Sequence, residues 1–206
     1  MNAEDLSFVE ITSLHDDLLL PWLVLYETAF PASERVLVAS ILSILKKKML
    51  GEQDDMCLLA VNDPAGKIVG MAMFNARPGS GLAVLWYIAV VKELRGRGLG
   101  SIIYYEVLRR VYSLQAGTLF FEVEIPEDHN DSEARQRIRF YKKQGALLLT
   151  GIHYMQKVGW HQTPIPMHLM IHPCHPMDAQ TAFNLAKSIF NDAIEQVDTL
   201  GFDSSN

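Results

Sequence analysis

The residues with the clearest chemical potential form a short segment, residues 95–100, with the sequence Arg-Gly-Arg-Gly-Leu-Gly. Glycine lets the backbone turn tightly and bring its N–H groups close to a ligand, because no Cβ stands in the way. Two arginines add positive charge to the same segment. Backbone N–H donors and guanidinium groups together favour a phosphorylated ligand, so this segment predicts a binding site for a pyrophosphate group.

This glycine-rich segment lies between a predicted strand and a predicted helix. Residues 83–91 are almost all aliphatic or aromatic, which is typical of a buried strand. Residues 101–112 carry apolar side chains at helical spacing. A helix that begins here would place unpaired N–H groups and a partial positive charge beside the glycines.

Two common phosphate-binding patterns do not fit the glycines. No Gly-Lys-Ser/Thr follows them, which excludes a Walker loop, and glycines at 96, 98 and 100 lack the dinucleotide-binding spacing. The spacing Arg95-x-x-Gly98-x-Gly100 resembles the acetyl-CoA-binding motif of the GNAT superfamily of N-acetyltransferases. A second block, residues 137–146, resembles the late helix of that family, and the two blocks occur in the family's order.

The resemblance extends roughly over residues 6–172 and implies acetyl-CoA-dependent transfer to a primary amine of a small molecule or peptide. It implies that a backbone N–H of the strand polarises the thioester carbonyl. Tyr141 matches the tyrosine that often protonates the coenzyme sulfur, and Ala134 stands where many relatives carry asparagine. The implied coenzyme contacts are Ile88, Ala89, Val90, Arg95, Gly96, Arg97, Gly98, Leu99, Gly100 and Ser101.

Two glutamates are candidates for the base that deprotonates the amine. Residues 118–125 alternate so that Glu122 and Glu124 share one face of a predicted strand. Glu122 is the better candidate, because it lies nearer the middle of the strand, where burial raises the pKa of a carboxyl group. A solvated sheet face explains the same alternation, so both interpretations stay open. Trp86 and Tyr87 either line the amine pocket or pack in the core.

A metal site is not predicted. The side chains that could ligate zinc are His168, His172, Cys174 and His175. Their spacing is not a recognised zinc pattern, and Pro173 and Pro176 constrain the backbone between and beside them. Cys57 and Cys174 are the only cysteines, and neither lies in a motif that suggests an acetyl-enzyme intermediate. We therefore expect direct transfer in a ternary complex.

Composition restricts the class of protein. A chain of 206 residues with 49% hydrophobic and 20% charged residues is typical of one globular domain. The net charge of −6 argues against nucleic-acid binding, which needs a basic surface. The N-terminus is acidic, and the most apolar early stretch contains Pro21 and Glu27. We expect a cytoplasmic protein without a membrane partner.

The order of predicted elements, β-α-α-β-β-β-α-β-α-β-β, indicates an α/β (α+β) chain with the GNAT fold. We expect a mixed, mostly antiparallel, twisted sheet of about seven strands flanked by helices, within residues 1–175. Residues 178–200 have apolar side chains at helical spacing, which predicts an extra C-terminal helix within residues 176–206. That helix packs on the domain, or it forms a homodimer contact or a lid.

Two functional alternatives stay open: a non-catalytic acyl-CoA-binding module, and transfer of a longer acyl group.

Overall fold

The computed structural model describes residues 5–52, 54–126, 132–156 and 164–203. Within these ranges it contains eight strands and five α-helices, apart from short 3-10 turns. In chain order they are β1 (Ser7–Ile11), α1 (Leu19–Ala29), α2 (Val38–Met49), β2 (Met56–Asn62), β3 (Ile68–Ala76), β4 (Leu82–Val90), α3 (Leu99–Ser113), β5 (Thr118–Glu124), α4 (Ser132–Lys143), β6 (Leu147–Gln156), β7 (Ile165–His172), α5 (Ala179–Phe190) and β8 (Ile194–Asp203).

The strands form one sheet in the order β1-β2-β3-β4-β5-β7-β6-β8. The pair of β4 and β5 is parallel, and the other neighbouring pairs are antiparallel. The expected mixed, mostly antiparallel sheet is therefore confirmed, with eight strands rather than about seven. The parallel pair requires a crossover, and α3 supplies it.

Helices cover both faces of the sheet. Helices α1 and α2 pack on one face of β2–β4, where Trp22 and Tyr26 are fully buried. Helices α3 and α4 pack on the opposite face, around Tyr104 and Phe121. Helix α5 covers β5, β6 and β7 on the face that carries Phe120. Among the described helices, none combines the length and the apolarity that crossing a bilayer requires.

The helix predicted over residues 178–200 is wrong beyond Phe190. Helix α5 begins after Asp178, whose side chain accepts a hydrogen bond from the Thr181 N–H, and it is followed by Asn191 at a φ of 44°. The chain then forms β8, which pairs with β6. Val197, an expected member of the apolar stripe, is 61% exposed. The open edge of β6 explains the difference, because strand pairing satisfies its backbone groups and overrides the local periodicity.

Candidate active site

Two neighbouring strands separate in the middle of the sheet, and the gap between them forms a cleft. β4 and β5 pair only as far as Leu85 and Phe121, although β4 continues to Val90 and β5 to Glu124. Beyond that point β4 stays paired with β3, and β5 stays paired with β7. The resulting cleft has a volume of about 590 Å³ and is lined by residues of the helices α1, α3 and α4, of the strands β4, β5, β6 and β7, and of the loops beside them.

A β-bulge in β4 lies at the point where the strands separate. Leu85 pairs with Phe74 and Tyr87 pairs with Met73, so Trp86 is an extra residue in β4. The bulge reverses the alternation of side chains: Leu85 packs towards α3, whereas Tyr87 packs towards α1. In the described chain, the edge of β4 that faces the cleft has no strand partner after the bulge. Apart from the Val90 carbonyl oxygen, which accepts a hydrogen bond from Arg95, this edge therefore offers its backbone groups to a ligand that lies along it.

The glycine-rich segment adopts a conformation that requires glycine. Gly96 and Gly98 have φ angles of 74° and 83°, in the left-handed region. A Cβ at either position would meet no atom within 4 Å, so conformation rather than space excludes larger residues. Gly98 is the N-cap of α3, and in the described chain no side chain caps this helix. The N–H groups of the first turn, which includes the cleft-lining Gly100, are suited to an anion.

The predicted coenzyme contacts fall into two groups. The residues that line the cleft are Ile88, Ala89, Val90, Arg95 and Gly100. Arg95 Nε also donates a hydrogen bond to the Val90 carbonyl oxygen at 3.1 Å, which ties the glycine-rich segment to the end of β4. The residues that do not line the cleft are Gly96, Arg97, Gly98, Leu99 and Ser101. The side chain of Leu99 is buried in the core at 2% exposure, so this residue offers a ligand only its backbone.

Tyr141 lies on α4 and lines the cleft. It is 6% exposed, and its ring centroid is 4.3 Å from that of Phe121 and 5.5 Å from that of Tyr104. Burial raises the pKa of Tyr141 above its ordinary value, so the phenol keeps its proton at neutral pH. A protonated phenol in a cleft can donate that proton to a developing anion.

Glu122 is held by two side chains of β6. Tyr154 Oη donates a hydrogen bond to Glu122 Oε1, and Gln156 Nε2 donates one to Oε2. Burial raises the pKa of Glu122, whereas the two hydrogen bonds lower it; burial has the larger effect. Glu122 lines the cleft. A carboxylate whose pKa is raised above its ordinary value is a stronger base than a solvated one.

Glu124 has a different environment. It forms an ion pair with Arg137, which lies one helical turn before Tyr141 on α4. Glu34 lines the same cleft from the loop between α1 and α2. Burial is the largest cause of its raised pKa, and the negative charge of Glu124 is the second. Together with Glu133 of α4, four carboxylates therefore line the cleft, and the guanidinium of Arg137 faces that of Glu124.

Tyr87 fixes the loop that carries Glu34. Its hydroxyl donates a hydrogen bond to the Glu34 carbonyl oxygen at 2.9 Å and accepts one from the Val36 N–H at 3.0 Å. Both Trp86 and Tyr87 line the cleft, and so does Ala134, whose methyl group cannot form the hydrogen bond of an asparagine.

Four polar or charged lining residues are not among the predicted site residues: Glu34, Glu133, Arg137 and Gln156. The spacing of Arg137 from Tyr141 on one helix face was a usable signal. No local pattern indicates Glu34 or Gln156, because only the tertiary structure brings their segments to β5.

Cys57, Cys174 and the three histidines considered as zinc ligands, His168, His172 and His175, do not line the cleft. Burial raises the pKa of Cys57 to about 12, and neither Cys57 nor Cys174 lines the cleft. His172 Nδ1 is 3.1 Å from Tyr104 Oη, in the core. Among the residues that the structure describes, no group of three or more His, Cys, Asp or Glu side chains is placed to hold a metal ion.

Comparison with known proteins identifies the family. The sequence model of the GNAT acetyltransferase family matches residues 13–146, which is more than half of the chain. No curated protein sequence matches it significantly.

Solved structures share the fold. One is described as a GNAT-family acetyltransferase from Bacteroides thetaiotaomicron, with 19% identity, a TM-score of 0.68, and coverage of 89% of this chain and 98% of that one. Another is a spermidine N-acetyltransferase chimera from Vibrio cholerae and hSSAT, with 13% identity, a TM-score of 0.60, and coverage of 82% and 95%. At these identities the two structures support the fold alone. Together with the family match over residues 13–146, they show that this chain belongs to the GNAT acetyltransferase family.

Proposed function

We propose that this chain transfers an acetyl group from acetyl-CoA to a primary amine of a small molecule or peptide, directly within a ternary complex. Family membership supports acyl transfer in general. The observation that carries the finer proposal is the cleft between β4 and β5, because Arg95 and Gly100 line the same cavity as Tyr141 and Glu122. Neither cysteine lines that cavity, which favours direct transfer over an acetyl-enzyme intermediate.

The coenzyme would be held mainly by the backbone. N–H groups of residues 97–101, at the start of α3, would bind the pyrophosphate, and the arginine at 95 would keep the glycine-rich segment in place. The unpaired edge of β4 at residues 88–90 would bind the pantetheine arm by main-chain hydrogen bonds. A backbone N–H of the same edge would polarise the thioester carbonyl, as donors in an oxyanion hole do.

Glu122 and Tyr141 would carry the proton transfers. Glu122 accepts a proton from the acceptor's ammonium group, directly or through a water molecule. The freed nitrogen forms a bond to the thioester carbon, and the carbon–sulfur bond breaks. Tyr141 donates its proton to the leaving sulfur. The attacking nitrogen releases a proton as the amide forms, and this proton restores the neutral phenol of Tyr141. Glu124 is the alternative base.

The acceptor would enter the cleft as a cation. Four of the residues that line the cleft are glutamates, Glu34, Glu122, Glu124 and Glu133, and Arg137 pairs with Glu124. An aliphatic amine is protonated at neutral pH, so these carboxylates attract it to the side of the cleft where Glu122 can deprotonate it.

Calorimetry followed by an amine panel tests the proposal. Acetyl-CoA should bind, and release of free coenzyme A should follow addition of benzylamine, 1,5-diaminopentane or a peptide with a free N-terminus. Binding without transfer to any panel amine would indicate a non-catalytic acyl-CoA-binding module. No binding at high micromolar concentration would overturn both functions, and faster transfer from octanoyl-CoA would indicate a longer acyl donor.

A cytoplasmic location and a homodimer stay predictions; light scattering on the purified chain tests the second.

A further inference from the structure

The cleft receives a contribution from outside the region that matches the family model. Tyr154 and Gln156 lie in β6, beyond residue 146, where the match ends. Both reach Glu122, although β7 lies between β5 and β6 in the sheet. Each oxygen of the Glu122 carboxylate therefore accepts a hydrogen bond from a side chain two strands away. The remaining lone pairs are free to accept a proton from a ligand in the cleft.

The C-terminal segment, α5 and β8, encloses Tyr154. Tyr154 is 3% exposed, and its ring centroid is 5.0 Å from that of Phe190 at the end of α5. Its backbone pairs with Ile194 in β8, in the part of β6 where the register with β7 is interrupted. Phe190 also contacts Phe120, which lies two residues before Glu122 on the same face of β5. The aromatic ring is thus fixed by α5 and β8, so its hydroxyl has a fixed direction.

Among the residues that the structure describes, few other polar groups face Glu122. Tyr87 approaches from β4, and the negative charge of Glu122 contributes to the raised pKa of the Tyr87 phenol. Glu124 is the next residue on the same face of β5, and its partner Arg137 belongs to α4. β7 contributes the apolar side chain of Met167 to this region of the cleft. The two donors of β6 are therefore the groups that hold the carboxylate of Glu122.

We propose that Tyr154 is a positioning residue: it orients the Glu122 carboxylate for proton transfer, and α5 and β8 are required because they hold Tyr154. The inference rests on the proposed function, in which Glu122 is the base. The hydrogen bond from Tyr154 favours the ionised carboxylate, so its loss should raise the pKa of Glu122.

An NMR titration tests the contact without any substrate. Tyr154→Phe keeps the ring beneath Phe190 and removes only the hydroxyl. In protein labelled with ¹³C at the glutamate carboxyl groups, the Glu122 signal, assigned through Glu122→Gln, should titrate about one pH unit higher in Tyr154→Phe. Tyr112→Phe, which removes the hydroxyl of a partly exposed tyrosine of α3 that does not line the cleft, is the matched control and should leave the Glu122 pKa unchanged. An unshifted Glu122 in Tyr154→Phe would overturn the inference.

A kinetic experiment tests the consequence. With acetyl-CoA and the panel amine that is transferred fastest, the ionisation of Glu122 should appear as a limb in the pH profile of kcat/KM, and this limb should lie about one pH unit higher in Tyr154→Phe than in the wild type. At pH values above the limb, the two enzymes should have similar kcat/KM. In the Glu122→Gln background, Tyr154→Phe should cause no further loss, because both changes act on the same proton transfer. A loss that is independent of pH, or that persists in that background, would show a merely structural role and would overturn the inference.

The two experiments separate the inference from the function on which it rests. If the wild-type chain transfers acetyl groups to no amine, the proposed function fails, whatever the titration shows. If it does transfer and Tyr154→Phe changes neither the Glu122 pKa nor the pH profile, the inference alone fails.

Discussion

The two parts of the cleft are built in different ways. The part proposed for the coenzyme comes from one continuous stretch, residues 88–101, and uses mainly backbone groups. The part proposed for the acceptor and for the proton transfers combines side chains from a loop and three separate elements: Glu34, Glu122 and Tyr141 line the cleft, and Tyr154 holds Glu122. The first part depends on local conformation, whereas the second depends on how distant segments pack. Substitutions should therefore act on the first part through the backbone and on the second through single functional groups.

The largest effect is expected at the proposed base. Glu122→Gln should lower kcat/KM about 10³-fold, because the amide cannot accept the proton of the ammonium group, and it should leave the Kd for acetyl-CoA unchanged. Glu124→Gln is the matched control on the same strand face and should cost much less, since Glu124 is paired with Arg137. Steady-state kinetics and calorimetry measure the two quantities. A greater loss in Glu124→Gln would transfer the role of base to that residue.

A somewhat smaller effect is expected at the proposed acid. Tyr141→Phe should lower kcat about 10²-fold and leave acetyl-CoA affinity unchanged, because the ring still fills its site against Phe121. Tyr105→Phe, an exposed tyrosine of α3, serves as the control. If kcat is unchanged in Tyr141→Phe, the residue acts in packing alone.

The coenzyme part should respond to backbone conformation. Gly98→Ala places a Cβ on a residue with a φ of 83°, which costs about 1–2 kcal/mol and should weaken acetyl-CoA binding about tenfold. Gly66→Ala is the matched control, because its φ is 79° and it lies in the β2–β3 turn, away from the cleft. Both variants should lose similar stability, and only Gly98→Ala should raise the Kd in calorimetry. An equal Kd in both would contradict a role of this segment in binding.

A modest effect is expected at the loop that borders the acceptor part. Glu34→Gln should raise the KM of a cationic amine about two- to fivefold with kcat unchanged, because it removes one attractive charge from a partly exposed site. Glu27→Gln is the control, since Glu27 pairs with Arg35 nearby but does not line the cleft. A lowered KM in Glu34→Gln would contradict a cationic acceptor.

The smallest effect is expected on stability. Burial raises the pKa of Glu122 in the folded chain, so folding is penalised once the unfolded carboxyl ionises. Glu122→Gln should equal the wild type in Tm below about pH 4, and exceed it by a growing margin as the pH rises through the folded pKa. Thermal unfolding followed by circular dichroism across this range measures the difference. Glu52→Gln, the same substitution at an exposed position, is the control.

Much of the site could be predicted because its signals are local. Glycines at 96 and 98 mark left-handed backbone, and the alternation of β5 places Glu122 and Glu124 on one face. Tyr141 was identified through a resemblance that needs only the order of residues along one helix. The bulge at Trp86 could not be predicted, because every residue around it is apolar. In such a run, polar and apolar residues do not alternate, so no shift of the alternation can mark a bulge.

The C-terminal strand illustrates the opposite case. Residues 193, 197 and 200 fit a helical period, and nothing local distinguishes that pattern from a strand. The open edge of β6 decides the outcome, since its backbone groups gain partners only when β8 pairs with them.

By itself, the sequence determined the glycine-rich segment, the element order up to α5 and the shared face of the two β5 glutamates, because these depend on neighbours within a few residues. Only the tertiary structure decided where β4 and β5 separate, that β6 supplies the donors for Glu122, and that the last segment becomes a strand. Those features depend on backbone groups and side chains that are far apart in the chain, and they form only when the whole sheet is assembled.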